Sequence, residues 1–242
     1  MRHAAVLLAL ASFACATPAH AGGFHWSPGA VTGDGKKVTQ QRELPPFRAL
    51  RMEGSLDVEV KVGPAQSVAV VIDGNLQPGI ETRVERDTLV VSTLHDMNYQ
   101  GEGKVRVTVP ELRGVALSGS GDAQLEGTKG GDFNVSISGS GDVRWSGQAA
   151  ALGVDVNGSG DVELSGSADL LQIAISGSGG VDADQLTAHD AKVSVAGSGD
   201  VELRLGGGWL DAAVSGSGEV QWDGPGQVRS ASVAGSGEIT HR

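Results

Sequence analysis

The chain has 242 residues, 38 of them glycine, only 4% aromatic residues and a formal net charge of −11. It is long enough to bury a substantial core but too poor in aromatics for a globule built on large side chains, so stacked small aliphatics are expected. The acid excess, with no Lys/Arg-rich run, argues against nucleic acid as a partner because neutralising phosphates takes a basic face. It argues equally against anionic lipid headgroups.

Residues 1–21 read as a secretory leader. Met1-Arg2-His3 is a short basic start, Ala4 to Ala14 is an apolar run too short to span a bilayer, and Ala19-His20-Ala21 places small residues at a cleavage site. Cleavage after Ala21 removes Cys15, the single cysteine, and leaves no thiol nucleophile and no disulfide. The competing reading is an outer-membrane lipoprotein anchored through Cys15, for which Ser12-Phe13-Ala14 is a poor preceding motif. No later segment is apolar enough to cross a membrane, so a periplasmic or extracellular product is expected.

Residues 22–37 are Gly-rich, carry Phe24 and Trp26 as isolated aromatics, and read as a flexible arm before a domain spanning 38–242. Strand patterning then begins. Phe47 to Met52 follows Pro45-Pro46, and Leu56 to Val62 alternates Leu56, Val58, Val60 and Val62 with Asp57, Glu59 and Lys61. Period-2 alternation marks a half-buried strand. Ser67 to Ile72, Glu81 to Glu85, Leu89 to Thr93 and Lys104 to Val109 continue the series, with turns at Asp73-Gly74-Asn75 and Asp87-Thr88. No stretch before Gly119 has helical periodicity.

The second half is organised by seven Gly-Ser-Gly triplets, starting at Gly119, Gly139, Gly158, Gly177, Gly197, Gly216 and Gly235 in steps of 20, 19, 19, 20, 19 and 19 residues. Regular steps of this size signal a repeat architecture. Four positions before the triplet lie Val115, Val135, Val154, Ile173, Val193, Ala212 and Ala231; two before lie Leu117, Ile137, Val156, Ile175, Val195, Val214 and Val233. Beyond the triplet a second alternation places Ala123, Val143, Val162, Val181, Val201, Val220 and Ile239 in one column. The next holds Leu125, Trp145, Leu164, Ala183, Leu203, Trp222 and His241.

Two short strands, a tight corner and a return segment fill each repeat and leave no room for a crossover helix. The predicted fold is therefore all-β: a parallel β-helix with 19–20-residue coils over 115–242, preceded by a β-rich N-terminal half continuous with it. Like residues stack on like at about 4.8 Å, so seven coils make a rod of roughly 30 Å. About four aliphatic positions per coil are expected in the core, each contributing about 1.5–3 kcal/mol before chain entropy. The corner is expected to need Gly because the bend takes positive φ. An antiparallel meander is the alternative, but it would not demand such uniform spacing.

The run Arg48-Ala49-Leu50-Arg51-Met52-Glu53-Gly54-Ser55-Leu56-Asp57-Val58-Glu59-Val60 resembles the opening of the head GIN domain family of bacterial exported proteins. Gln66-Ser67-Val68, Gly79-Ile80-Glu81-Thr82, Thr88-Leu89-Val90-Val91 and Val105 to Leu112 continue the resemblance into Ser118-Gly119-Ser120-Gly121-Asp122. It spans roughly residues 38 to 240 and implies a β-helical fold and an adhesin-like role. It supplies no catalytic or cofactor-binding residue. An autotransporter would carry a C-terminal membrane barrel, whereas here Arg242 follows directly on the last repeat.

After each triplet comes Asp122, Asp142, Asp161, Gly180, Asp200, Glu219 or Glu238. Stacked carboxylates repel one another. Asp122, Asp142, Asp161 and Asp200 therefore read either as caps accepting from turn N–H groups or as a cation ladder, since Ca²⁺ favours clustered oxygens. Trp145 and Trp222 fall in an inward column and read as core, while Trp209 beside Gly206-Gly207-Gly208 reads as an exposed aromatic. His25, His95, His189 and His241 show no metal-ligand spacing.

Two functions follow. One is a non-enzymatic envelope protein, a scaffold or adhesin-like module that binds an unknown envelope protein or glycan. The other is a carbohydrate-active β-helix enzyme, a lyase or hydrolase, for which Asp155, Glu163, Asp182 and Glu202 with Arg144 and Arg204 are the nearest acid and base candidates. The final strand, Ile239 to Arg242, has no cap after it, and an open sheet edge invites end-to-end self-association.

Overall fold

The computed structural model describes residues 30–94, 97–98 and 103–242. The leader 1–21 with Cys15 and Ala21, the aromatics Phe24 and Trp26, and His25 and His95 lie outside the described residues.

The chain is an all-β solenoid of stacked parallel coils. Gly114–Gly119, Ala123–Gly139, Val143–Gly158, Val162–Gly177 and Val181–Gly197 lie side by side in parallel. Val201–Leu205 with Trp209–Gly216, then Glu219–Asp223 with Gln227–Gly235, continue the stack to Glu238–His241. The triplets stand in register throughout, from Gly119 on Gly139 to Gly216 on Gly235. Every repeat-to-repeat pairing is parallel, so the meander alternative does not apply.

The inward columns are those the alternation predicts, with Val135, Ile137, Val143, Leu164 and Val201 at most 1% exposed. Trp145 and Trp222 are core residues at 1% and 7%. Two further buried columns lie on the return segment. Ala149, Ala168, Ala188 and Leu205 form one, and Phe133, Leu152, Leu171, Ala191 and Leu210 form the other. The coils in the middle of the stack therefore fill six inward positions, not four.

An eighth corner precedes the seven. Gly54-Ser55-Leu56 lies beneath Gly119-Ser120-Gly121, and strands Ala49–Gly54 and Asp57–Val62 pair in parallel with Gly114–Gly119 and Ala123–Gly139. On the other side of this first coil lie Thr88–Thr93 and Lys104–Val109, later in the chain yet lower in the stack. The end is closed by antiparallel strands: Ile80–Glu85 on Thr88–Thr93, Ser67–Asp73 on Lys104–Val109, and Lys37–Gln41 on Ser67–Asp73. The N-terminal half thus continues the sheet but is a cap more than a run of coils. Gln77 is buried in it, its amide donating to Val38 O (2.9 Å) and Val70 O (3.0 Å). The expected strand from Phe47 starts at Ala49, because the Phe47 N–H is taken by Gln66 Oε1 at 3.2 Å and stays out of the ladder.

Candidate functional site

The corners carry the chain's most regular chemistry. The first glycine of each triplet has positive φ, between +132° at Gly235 and +148° at Gly139. The third glycine has no such conformation, so positive φ explains only half of the motif. A Cβ on either glycine would collide with the carbonyl oxygen of the equivalent glycine one coil below, as at Gly158 over Gly139 and Gly160 over Gly141. Backbone meeting backbone is what excludes side chains here. At the first corner Leu56 stands where the later corners carry their third glycine, and its side chain is buried in the core.

The acidic residue after the triplet also works between coils. Asp57 Oδ1 accepts the Asp122 N–H at 3.0 Å, Asp122 accepts from Asp142 at 2.9 Å, and Asp142 accepts from Asp161 at 2.9 Å. Asp161 accepts from Gly180 at 2.7 Å and Asp200 from Glu219 at 2.9 Å. Each carboxylate thereby caps the coil above it instead of its own turn. Gly180 interrupts the column, and no carboxylate stands there to accept from Asp200. The interruption opens a shallow concavity of about 390 Å³ bordered by Asp142, Asp161, Asp200, Asp182 and Glu202.

The enzyme candidates are only partly assembled. Arg144, Glu163, Asp182 and Glu202 stack in one exposed column, with Arg144 Nε 3.0 Å from Glu163 Oε2. Arg242 closes its far end, donating to Glu202 Oε2 at 2.7 Å. Arg204 instead faces Asp223 at 3.3 Å, and Asp155 sits on the strand before the corner, stacked between Ser136 and Ala174. Among the described residues no group of three or more His, Cys, Asp or Glu is arranged to hold a metal ion. His189 lies beside Asp190 at 3.2 Å, and His241 stacks on Trp222 with ring centroids 4.0 Å apart. Trp209 is half-buried, not exposed, and the Arg229 guanidinium lies 3.4 Å from its ring centroid.

Periodicity gave no sign of the groove between cap and coils. There Glu111 meets both Arg48 (3.1 Å) and Arg113 (2.7 Å), and the Arg113 hydrogen bond holds its carboxyl below the usual range. Hollows of about 550 and 480 Å³ lie to either side, the second lined by Thr128, Lys129, Asp132 and Gln148. The signal was local: Lys129-Gly130-Gly131-Asp132 sits where the coil slips register against its neighbour.

The glycine-cornered parallel coils and the carboxylates that cap them define the protein as an all-β solenoid. The chain belongs to the family described as "Putative auto-transporter adhesin, head GIN domain", whose model matches residues 46–226. A "putative adhesin" from Bacteroides fragilis has the same fold, with 22% identity, TM-score 0.76, and 88% of this chain and 100% of that one covered. A "putative lipid binding protein" from Parabacteroides distasonis is 24% identical with TM-score 0.71, covering 88% and 99%. A "putative adhesin" from the same species is 19% identical with TM-score 0.73, covering 88% and 100%. Among curated proteins none matches the chain in sequence. No helix among the described residues is long and apolar enough to cross a membrane.

Proposed function

We propose that the chain is a non-enzymatic, exported, adhesin-like binding module of the cell envelope, in which a rigid solenoid presents its outward faces to an envelope protein or glycan. The observation that carries this reading is the unbroken stack. From Val143 to Gly197 each coil repeats its neighbour's register, with one slip after Glu163, so side chains present an extended surface indented by the shallow concavity beside Gly180. The family's adhesin description supports it. Export rests on the leader at 1–21 with cleavage near Ala21, lipidation at Cys15 being the alternative. Asp122, Asp142, Asp161 and Asp200 are proposed as caps, not as a calcium ladder.

Self-association belongs to the same reading. Among the described residues Gln227–Gly235 is paired on one side, and Val228 and Val233 are 43% and 45% exposed where their column partners Leu210 and Val214 are buried. A second copy joining through this edge would cover them. Sedimentation is expected to show concentration-dependent dimers, and a monomer at high concentration would remove this part.

The test of function is surface binding against turnover. The purified chain is incubated with immobilised glycans, envelope proteins and lipid vesicles, and in parallel with acidic and neutral polysaccharides. Saturable binding without chain cleavage is the expected result. Release of reducing or unsaturated ends that disappears in Glu163→Gln or Glu202→Gln would establish the enzyme reading instead.

A further inference from the structure

We propose that the chain is an acceptor for N-linked glycosylation, with Asn157 and Asn134 as the modified residues. The inference rests on the export reading, since the transfer takes place outside the cytoplasm. The chain has four asparagines, Asn75, Asn98, Asn134 and Asn157, and only the last two are followed two positions on by a hydroxyl residue. Both occur in the same longer context, Asp132-Phe133-Asn134-Val135-Ser136 and Asp155-Val156-Asn157-Gly158-Ser159. Asn-x-Ser without proline is the acceptor pattern for a glycan on an exported protein's surface. An Asp stands two positions before each of the four asparagines, at Asp73, Asp96, Asp132 and Asp155, so it is the hydroxyl residue that singles out Asn134 and Asn157.

In an extended strand, residues two apart share a face, which sets Asp155 beside Asn157 and Asp132 and Asn134 beside Ser136, while Ser159 follows Asn157 at the corner. Asp155, Asn157 and Ser159 are all exposed, as are Asp132 and Asn134, with Ser136 half-buried. Polar outward positions account for Asp and Ser on this face but not for Asn. At the Asn157 position the other repeats carry Ser118, Ser138, Ser176, Ala196, Ser215 and Ala234.

The stack also clears space at both sites. Asn157 stands between Ser138 and Ser176, and Asn134 between Gly114 and Gly153. A Cβ on Gly153 would lie 2.6 Å from Asn134 Oδ1, so that glycine gives the carboxamide its room. Glycine inside a strand weakens it and often marks a close approach by another group. Neither carboxamide is held by a hydrogen bond among the described residues. Asn157 adjoins the corner, where Gly158 has φ of +143°. Coils lie about 4.8 Å apart, so a sugar on a crowded column would clash with the side chains above and below.

The co-reactant is a polyprenyl-diphosphate-linked oligosaccharide. The Asn Nδ2 attacks the anomeric carbon; the C–N bond forms as the bond to the diphosphate oxygen breaks. Polyprenyl diphosphate departs with the electron pair, and one Nδ2 proton is lost to a base of the transferase. No oxidant or reductant is involved. Glycans at these positions would cover the face before the corner and leave the Arg144–Glu163–Asp182–Glu202 column free.

The test co-expresses the full chain with a bacterial oligosaccharyltransferase and its lipid-linked donor. One version keeps the native leader and another carries a leader of proven export. Intact mass and peptide mapping of the periplasmic product are expected to show glycan on Asn157 and Asn134. Ser159→Ala should abolish it at Asn157 alone, and Asn134→Gln with Asn157→Gln should abolish it entirely, all with unchanged far-UV circular dichroism. An unmodified periplasmic chain from the proven leader, beside a glycosylated control acceptor, overturns the proposal. Retention of the native-leader version in the cytoplasm overturns the export reading, while the second version still decides the acceptor sites.

Discussion

The two ends of the solenoid are built on opposite principles. At the N-terminal end, strands that are distant in sequence pair antiparallel over the first coil, and Phe47, Leu76, Ile80 and Leu89 are each at most 4% exposed. At the C-terminal end, Gln227–Gly235 repeats the coil pattern and pairs among the described residues with Trp209–Gly216 alone, and every one of its residues is exposed. The same inward positions are buried in the middle of the stack. Burial of an inward side chain is therefore a property of having two neighbours, not of the coil itself, as expected of a quasi-one-dimensional assembly.

Truncations test that contrast most severely. Trp145→Ala removes a side chain with neighbours on both sides and in contact with Phe133 (ring centroids 5.8 Å apart), so it should cost about 3–5 kcal/mol in urea unfolding. Val233→Ala, at 45% exposure on the open end, should cost less than about 1 kcal/mol. Equal losses would mean that the last coil is covered in solution. Next in size is the carboxylate column: Asp142→Ala removes the acceptor of the Asp161 N–H and should cost about 1 kcal/mol. The reverse change, Gly180→Asn, should stabilise by about 0.5 kcal/mol. Its Cβ would lie 3.3 Å from Asp161 Oδ1 and 3.5 Å from Asp200 O, and it adds an acceptor without another charge. Calcium is expected to leave the melting temperature unchanged, and a rise that Asp142→Ala abolishes would revive the cation ladder.

A further small effect lies in the first coil. The Lys104 ammonium, 2.7 Å from Glu59, and then Arg106 hold the Glu59 carboxyl below its ordinary value. Because the folded value lies below the unfolded one, the stabilisation is present at neutral pH and is lost as pH falls through the carboxylate range. With both groups partly solvated, Glu59→Gln should cost less than about 1 kcal/mol at neutral pH, and the difference should vanish in acid. A difference that persists in acid would assign the effect to packing.

The same contrast decides what could be read from the sequence. Coils, corners and four of the six inward columns were legible because equal spacing fixes register without knowledge of the fold. Ala149 and Leu152 escaped because two positions lie between them, which breaks period-2 alternation at the bend. The corner at Gly54-Ser55-Leu56 escaped because its third glycine is absent. The cap was not legible as a cap. Met52 lies between Leu117 and Val91, one 65 and the other 39 residues away, and no local pattern announces such pairings. The Asp column was visible as a spacing, but its partner was not: the N–H that each carboxylate takes belongs to the next coil.

The central claim is that the triplets are glycine because backbone packs on backbone between coils, not because the corners are flexible. The direct measurement is urea unfolding of Gly160→Ala beside Gly131→Ala. A Cβ on Gly160 meets the Gly141 carbonyl oxygen, while a Cβ on Gly131 meets nothing within 4 Å. Gly160→Ala is predicted to lose more than about 2 kcal/mol and Gly131→Ala to stay within about 0.5 kcal/mol of the parent. Equal midpoints for the two variants would contradict the account.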